Sequence, residues 1–359
     1  MAIKGNKGEW SEVYALLRLL ADGKLFAADE RPGRISNMFF PILKILREEV
    51  AGSKYEYHPD PKTAEVRVYL NDDEILKVPM RDFDSEATRL FNDINNRASS
   101  RGSFELPQSE AFIKRICVNK LKAPSSDKAD ISIQVHDVST SYEHIVGFSI
   151  KSELGMPPTL LNAGKTTNFI FAVKGLDPKQ IKPINAIDTD SKIKDRMRAI
   201  AANGSKLQFR SLENQTFNDN LVMIDSQMPV VVSQMLIGYY SETANDCAKL
   251  ADYVTQIDPL SCSAEFYRHK VKELLCAIAL GLKPATQWDG TDEATGGYII
   301  VKTDGDVLAY HIYNRDAFRG YLLNNTKFET GSSTRHGFGV LYREGGEIRI
   351  KLNLQIRFV

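Results

Sequence analysis

Apolar residues recur at three- and four-residue spacing through Trp10, Val13, Leu17 and Leu20, which predicts a helix over Glu9 to Ala21. Gly23 fits its stop. A second apolar stretch, Phe39 to Val50, reads as another helix. The period then changes. Val66, Val68 and Leu70, followed by Ile75, Leu76 and Val78, flank Asn71-Asp72-Asp73 and predict a hairpin over 64–79. Residues 83–118 read as helical at both ends, with a polar break from Asn95 to Ser103. Ile131, Ile133 and Val135 alternate with Ser132, Gln134 and His136, the pattern of a strand with one apolar face. A polar turn, Asp137 to His144, leads into Ile145 to Lys151, which is apolar on both faces until its last residues, as a central strand should be. A Gly/Pro loop, Leu154 to Gly164, separates it from a third strand, Asn168 to Val173.

Beyond residue 190 the helical period returns at 191–202, 217–241, 245–256 and 264–281, the last closed by Gly281 and Pro284. The C-terminal stretch reads as strands at 298–302, 307–313, 337–343 and 348–358. The expected architecture is therefore α/β: a mixed sheet flanked by helices, then a helical region and a β-rich region. The expected division is 1–190, 191–290 and 291–359.

Composition narrows the function classes. A chain of 359 residues is comfortable for two modules at roughly 100–200 residues each. With 43% apolar and 26% charged residues it is neither disordered nor a disulfide miniprotein. No run of 18 apolar residues and no apolar leader appears, so neither a membrane span nor a signal peptide is expected. Cys117, Cys247, Cys262 and Cys276 lie far apart without a CxxC pair, which suggests reduced thiols and a cytoplasmic setting. No HxH, HExxH or Walker pattern supports a zinc nuclease or ATP use. The 46 basic and 46 acidic residues cancel, which neither supports nor excludes a DNA partner.

Candidate chemistry gathers at the hairpin of 131–151. If its turn is centred between Thr140 and Ser141, facing positions sum to 281, which sets Asp130 opposite Lys151 and Ser132 opposite Ser149. Lys151 and Ser149 share one face; Phe148 and Ile150 share the other. An Asp and a Lys at a sheet end can be a plain surface ion pair. They can also serve a metal-dependent phosphodiesterase. Asp130 and the Ile150 carbonyl would then be oxygen ligands for Mg2+, and Lys151 would hold the attacking water. Such a site needs a second acid. Ser149, two before the lysine, cannot carry the charge; Glu153, Glu9 and Glu12 can. Glu9 and Glu12 share a helix face, where they also complement the helix dipole.

Asp130…Ser149-Ile-Lys151, preceded by a helix bearing Glu9, resembles the PD-(D/E)XK nuclease pattern, with Ser149 at the usual acid position and Ala129 at the usual proline. GNKGEWSE (5–12), KADI (128–131), GFSIKSELG (147–155) and PTLLNAGKTTNF (158–169) resemble type II restriction endonucleases of the HpaII family. The resemblance implies a restriction-endonuclease-like fold, cleavage of double-stranded DNA at CCGG with magnesium, and a cognate DNA methyltransferase that protects the host. A palindromic target suits a homodimer. In that setting Asp130, Lys151, Ser149 and Glu9 or Glu12 are the catalytic candidates. A non-catalytic DNA-binding protein and a structure-specific junction nuclease are the alternatives.

DNA contacts are expected from two stretches. The loop after the catalytic strand offers Ser152, Thr159, Asn162, Lys165, Thr166 and Thr167 as donors to phosphate oxygens. The segment 331–339 (GSSTRHGFG) offers Arg335 for a guanine edge, with His336 beside it. Lys7 is a further phosphate candidate, as are Lys4, Lys192, Lys194, Arg196 and Arg198. The stretch 297–359 has nine Lys/Arg against six Asp/Glu, a net of +3 that favours DNA.

Overall fold

The computed structural model describes residues 2–29, 33–50, 53–97, 102–121, 129–137, 141–311 and 314–359. Lys128, Thr140, residues 312–313 and part of the polar break at 95–103 lie outside the described residues. In chain order the first elements are β1 (Lys4–Gly5), α1 (Lys7–Asp22), β2 (Lys24–Ala28), β3 (Arg34–Val50), β4 (Ser53–Asp60), β5 (Glu65–Leu70) and β6 (Asp73–Pro79). There follow α2 (Met80–Asn95), β7 (Phe104–Glu105), α3 (Pro107–Arg115), β8 (Ile131–Asp137) and β9 (Tyr142–Ser152). Next come β10 (Thr159–Leu161), β11 (Asn168–Lys174), α4 (Ile181–Asn185), α5 (Lys192–Ala202) and β12 (Lys206–Leu212). Four helices continue the chain: α6 (Gln215–Ile224), α7 (Met228–Tyr240), α8 (Cys247–Ile257) and α9 (Ala264–Leu280). The last elements are β13 (Gly297–Val301), β14 (Val307–His311), α10 (Arg315–Asn324), β15 (Thr326–Phe328), α11 (Ser333–His336), β16 (Leu341–Glu344), β17 (Glu347–Asn353) and β18 (Ile356–Phe358).

The chain forms two compact units, Met1–Pro158 with Asp292–Tyr321, and Thr159–Thr291 with Leu322–Val359. The three-part division at 190 and 290 differs from this one, because β13 and β14 from the C-terminal β-rich stretch pair into the sheet that holds β8 and β9. Hydrogen bonding across the sheet outweighs proximity along the chain.

In the first unit nine strands run in the order β2-β14-β13-β9-β8-β3-β4-β5-β6, and β2 also pairs with β3, so that six strands close a ring. β9–β13 and β14–β2 are parallel; the other pairings are antiparallel. Helix α1 starts at a capping box: Asn6 accepts from the Glu9 amide, and Glu9 accepts from the Asn6 amide. It ends at Gly23 in the left-handed region. Its apolar stripe, Trp10, Val13, Leu17 and Leu20, is fully buried. In the hairpin β5–β6, Asn71 and Asp72 both have positive φ, as a two-residue turn of this twist requires.

The second unit has two small sheets, β12-β11-β17-β16 and β10-β18-β15, together with α4 to α9. Phe169, Phe171, Phe217, Tyr240 and Tyr267 are among its large buried rings. Among the described residues no single helix is long and apolar enough to cross a membrane.

Several sequence expectations change. The stretch 39–50 is strand, not helix. A bulge between Ile42 and Lys44 shifts the alternation by one, so that buried Phe40, Ile42 and Ile45 mimic helical spacing. The helix expected over 217–241 is two helices set at 107°. Asp225 is extended and accepts from the Gln227 amide, while Pro229 opens α7. The loop 154–164 contains β10, which pairs with β18. The strand expected over 337–343 begins only at Leu341, because Gly337 and Gly339 take positive φ after α11. The last strand is interrupted between Asn353 and Ile356.

Gly23 combines φ of +62° with Pro61 Cγ only 3.0 Å from where a Cβ would sit. Gly23→Ala should therefore destabilise the fold by about 1–2 kcal/mol or more, read as a lower denaturant midpoint. An unchanged midpoint would contradict the cap.

Candidate active site

The site begins with the register of β8 on β9. Facing positions sum to 279, as in Ile131 with Phe148 and Asp137 with Tyr142. The expected sum of 281 is thus corrected by two residues. The Asp130 amide donates to the carbonyl of Phe148, the residue that Ile131 already faces, at 2.8 Å, so the chain bulges at Asp130, whose carboxylate reaches Ser149. A shift of two keeps every side chain on its own face, and the three residues still meet.

Their contacts are direct. Lys151 Nζ donates to Ser149 Oγ at 2.8 Å, and Ser149 Oγ donates to Asp130 Oδ2 at 3.0 Å. The Ile150 amide donates to the same Asp130 oxygen at 2.7 Å. The Lys151 ammonium also lies over the Tyr298 ring, 5.1 Å from its centroid, because β13 runs parallel to β9. Burial holds the Lys151 pKa below the ordinary lysine range; the charges of Asp130 and then Glu12 pull it up and offset only part of that.

A cavity of about 440 Å³ opens beside these groups, lined among others by Lys7, Glu12, Ile150, Lys151, Ser152 and Gly155. Lys7 is almost wholly buried in its wall. Ser152 lines the cavity, but its hydroxyl donates to Ser11 and accepts from the Leu154 amide. Of the acids considered for the second carboxylate, Glu12 lines the cavity. Glu9 holds the N-terminus of α1 through the Asn6 amide at 2.9 Å. Glu153 accepts from the Thr303 amide at 3.3 Å, and its charge acts on Lys302, Tyr310 and Tyr321.

Lys4, in the first unit, pairs with Glu105, and the remaining DNA-contact candidates belong to the second unit. Asn162, Lys165 and Arg335 are exposed, and Thr159, Thr166 and His336 are half-buried. Thr167 is fully buried; its hydroxyl bonds Gly164 and accepts from Asn353. The two stretches meet there. Asn168 Nδ2 donates to the His336 carbonyl at 2.8 Å. A Cβ on Gly331 would lie 2.5 Å from Ala163 Cβ and 3.4 Å from Gln355 Oε1. Arg196 is buried, donating to the carbonyls of Gly339, Asn185 and Ile187, so it is structural. Lys192 pairs with Asp188, and Arg198 pairs with Asp195 and Glu242.

Sequence reasoning passed over Asn168, Asn353 and Gln355. The available signal was an amide between two leucines in an alternating strand, Leu352-Asn353-Leu354. It does not distinguish a buried bond from a solvated edge.

A mixed α/β chain that sets Asp, Ser and Lys together at one end of a strand pair, beside an open cavity lined by a further acid, has the layout of a phosphodiester-cleaving enzyme. The profile of the HpaII restriction endonuclease family matches residues 6–358, and the chain belongs to that family. The type II restriction enzyme HpaII of Haemophilus parainfluenzae is 42% identical over 360 residues, covering 99% of this chain and 98% of that one. The chain is accordingly a site-specific deoxyribonuclease acting on double-stranded DNA. No solved structure matches it.

The Lys151 environment yields a titration test. Asp130→Asn removes the larger of the two charges that favour the ammonium, so the Lys151 midpoint should move further down. NMR of the lysine Cε resonances against pH reads this directly; an unmoved or higher midpoint would contradict the coupling.

Proposed function

We propose that this enzyme cuts double-stranded DNA at CCGG by magnesium-assisted, in-line attack of water, on a PD-(D/E)XK-type core built around β8 and β9. The observation that carries the reading is the bonded run from Lys151 through Ser149 to Asp130, beside the cavity lined by Glu12. The donor set fits magnesium. The Asp130 and Glu12 carboxylates and the Ile150 carbonyl are hard oxygens, which this ion prefers. Among the described residues no three His, Cys, Asp or Glu side chains cluster as a complete metal cage. Magnesium sites commonly leave positions for water and phosphate oxygens, so such a cage is not required. Magnesium, when bound, supplies Lewis-acid polarisation of the phosphate.

The protein's own groups do the rest. Lys151 holds the attacking water and offsets charge developing on the phosphorus. Its depressed pKa makes it a better proton acceptor near neutral pH than an ordinary lysine. Ser149 replaces the acid of the usual pattern. It carries no charge, but it accepts from Lys151 and donates to Asp130, and so orients both. Glu12 supplies the missing carboxylate, because it lines the cavity beside Lys151 and its charge acts on that ammonium. Lys7, Asn162, Lys165 and Thr166 contact phosphates. Arg335 and His336 read base edges, and Gln355 lies beside them. A palindromic site suits two subunits, and a restriction enzyme's role suits a cytoplasmic setting and a partner methyltransferase that shields host DNA.

Incubation with unmethylated phage DNA in magnesium should give discrete fragments ending at CCGG, and EDTA should abolish them. Discrete fragments with another end sequence would discard CCGG, and no cutting in magnesium would discard the mechanism. Glu12→Gln should slow magnesium-dependent cleavage about a hundredfold or more, on the scale of a lost electrostatic contact. Glu9→Gln should chiefly lower stability, by about 1 kcal/mol, as a lost cap does. A larger rate loss for Glu9→Gln than for Glu12→Gln would reverse the assignment.

A further inference from the structure

Two asparagines of the second unit are fully buried and face each other across β11 and β17. Asn353 Nδ2 donates to the Gly164 carbonyl at 2.7 Å, to Asn168 Oδ1 at 2.7 Å and to Thr167 Oγ1 at 3.1 Å. Asn168 Nδ2 donates to the His336 carbonyl at 2.8 Å and to Glu213 Oε2 at 2.7 Å. Glu213 is held in turn by Lys351 Nζ at 2.6 Å. From one point in a sheet, therefore, this pair grips the backbone of the 162–167 loop on one side and of α11 on the other.

The sheet does not need these amides. The backbone pairing of β11 with β17 continues through Phe169, Ile170, Phe171 and Ala172. Burying them is costly, and Asn353 Oδ1 is buried without a hydrogen-bond donor among the described residues. Two apolar side chains would fill the space without that penalty. What the amides add is direction: they set the two loops at a fixed spacing.

We propose that Asn168 and Asn353 are positioning residues for sequence discrimination. They hold the phosphate-contacting loop and the Arg335–His336 turn in one register on DNA. The proposal rests on the reading that these two stretches contact DNA. Phosphate contacts from Lys165 carry no sequence information and tolerate a small loop shift. Base-edge hydrogen bonds weaken steeply with distance and angle. Loosening the clamp therefore reduces discrimination more than it reduces turnover.

The test uses the full-length enzyme on duplex oligonucleotides carrying either the site it cuts or that site with one base pair changed. For Asn353→Leu, the ratio of kcat/KM between the two duplexes should fall at least tenfold. The change should come through KM, with kcat on the true site within about threefold. A merely structural role would lower both rates together at an unchanged ratio, which would overturn the proposal. Should Asn353→Leu fail to fold, Thr167→Val removes one acceptor of the clamp at constant shape, and Thr167→Ser restores the hydroxyl. Lost discrimination in the first and recovery in the second is expected; equal ratios in both would overturn the clamp. Arg335→Ala and Lys165→Ala separate the two claims. If neither changes KM or the ratio, the DNA-contact reading fails. If they do and the Asn353 and Thr167 variants do not, only the clamp fails.

Discussion

The register of β8 on β9 is the constraint on which the site depends. Beyond the end of β8 the Asp130 amide donates to the carbonyl of Phe148, which Ile131 already faces, and this bulge carries the Asp130 carboxylate to Ser149. A slip of one residue would turn Asp130 away from Lys151 while burying polar Ser132 and Gln134 in place of Ile131, Ile133 and Val135. The register is thus held by the same apolar burial that makes the core. Gly147 permits the closure: a Cβ there would lie 2.7 Å from Ala129 Cβ, so the chain entering β8 can lie close against β9. Parallel β13 completes the frame by placing Tyr298 beneath the Lys151 ammonium.

Within that frame, electrostatics follows from where α1 starts. The Asn6–Glu9 capping box fixes its first turn, and Glu12 falls one turn later, on the wall of the cavity that Lys151 lines. Capping chemistry at an exposed end therefore decides which acid stands on the cavity wall beside Lys151. Burial depresses the lysine pKa and two carboxylates partly restore it. A group balanced in this way can hold a water and respond to charge that develops nearby.

Much of this was legible in the sequence, for stated physical reasons. Alternation in 131–151 marked the two central strands, and the polar residues at their ends marked Asp130 and Lys151. Local pattern could not supply the exact register, because the turn length sets the sum of facing positions. It also misread 39–50, where the bulge after Ile42 turns a period of two into an apparent three. The choice between Glu9 and Glu12 was open in sequence, since both share a helix face; the cavity beside Lys151, which Glu12 lines, separates them. The amide clamp of Asn168 and Asn353 was invisible, because a buried bond between residues 185 apart leaves no local pattern.

The central claim is that Lys151, oriented through Ser149 to Asp130, serves the chemical step. It is tested most directly by single-turnover cleavage with Lys151→Ala, at saturating enzyme and magnesium, alongside DNA binding measured in calcium. The account predicts binding close to that of the unaltered enzyme and a cleavage rate about a hundredfold to a thousandfold lower, the scale of losing one charge-stabilising donor. Cleavage at the unaltered rate with unaltered binding would contradict it.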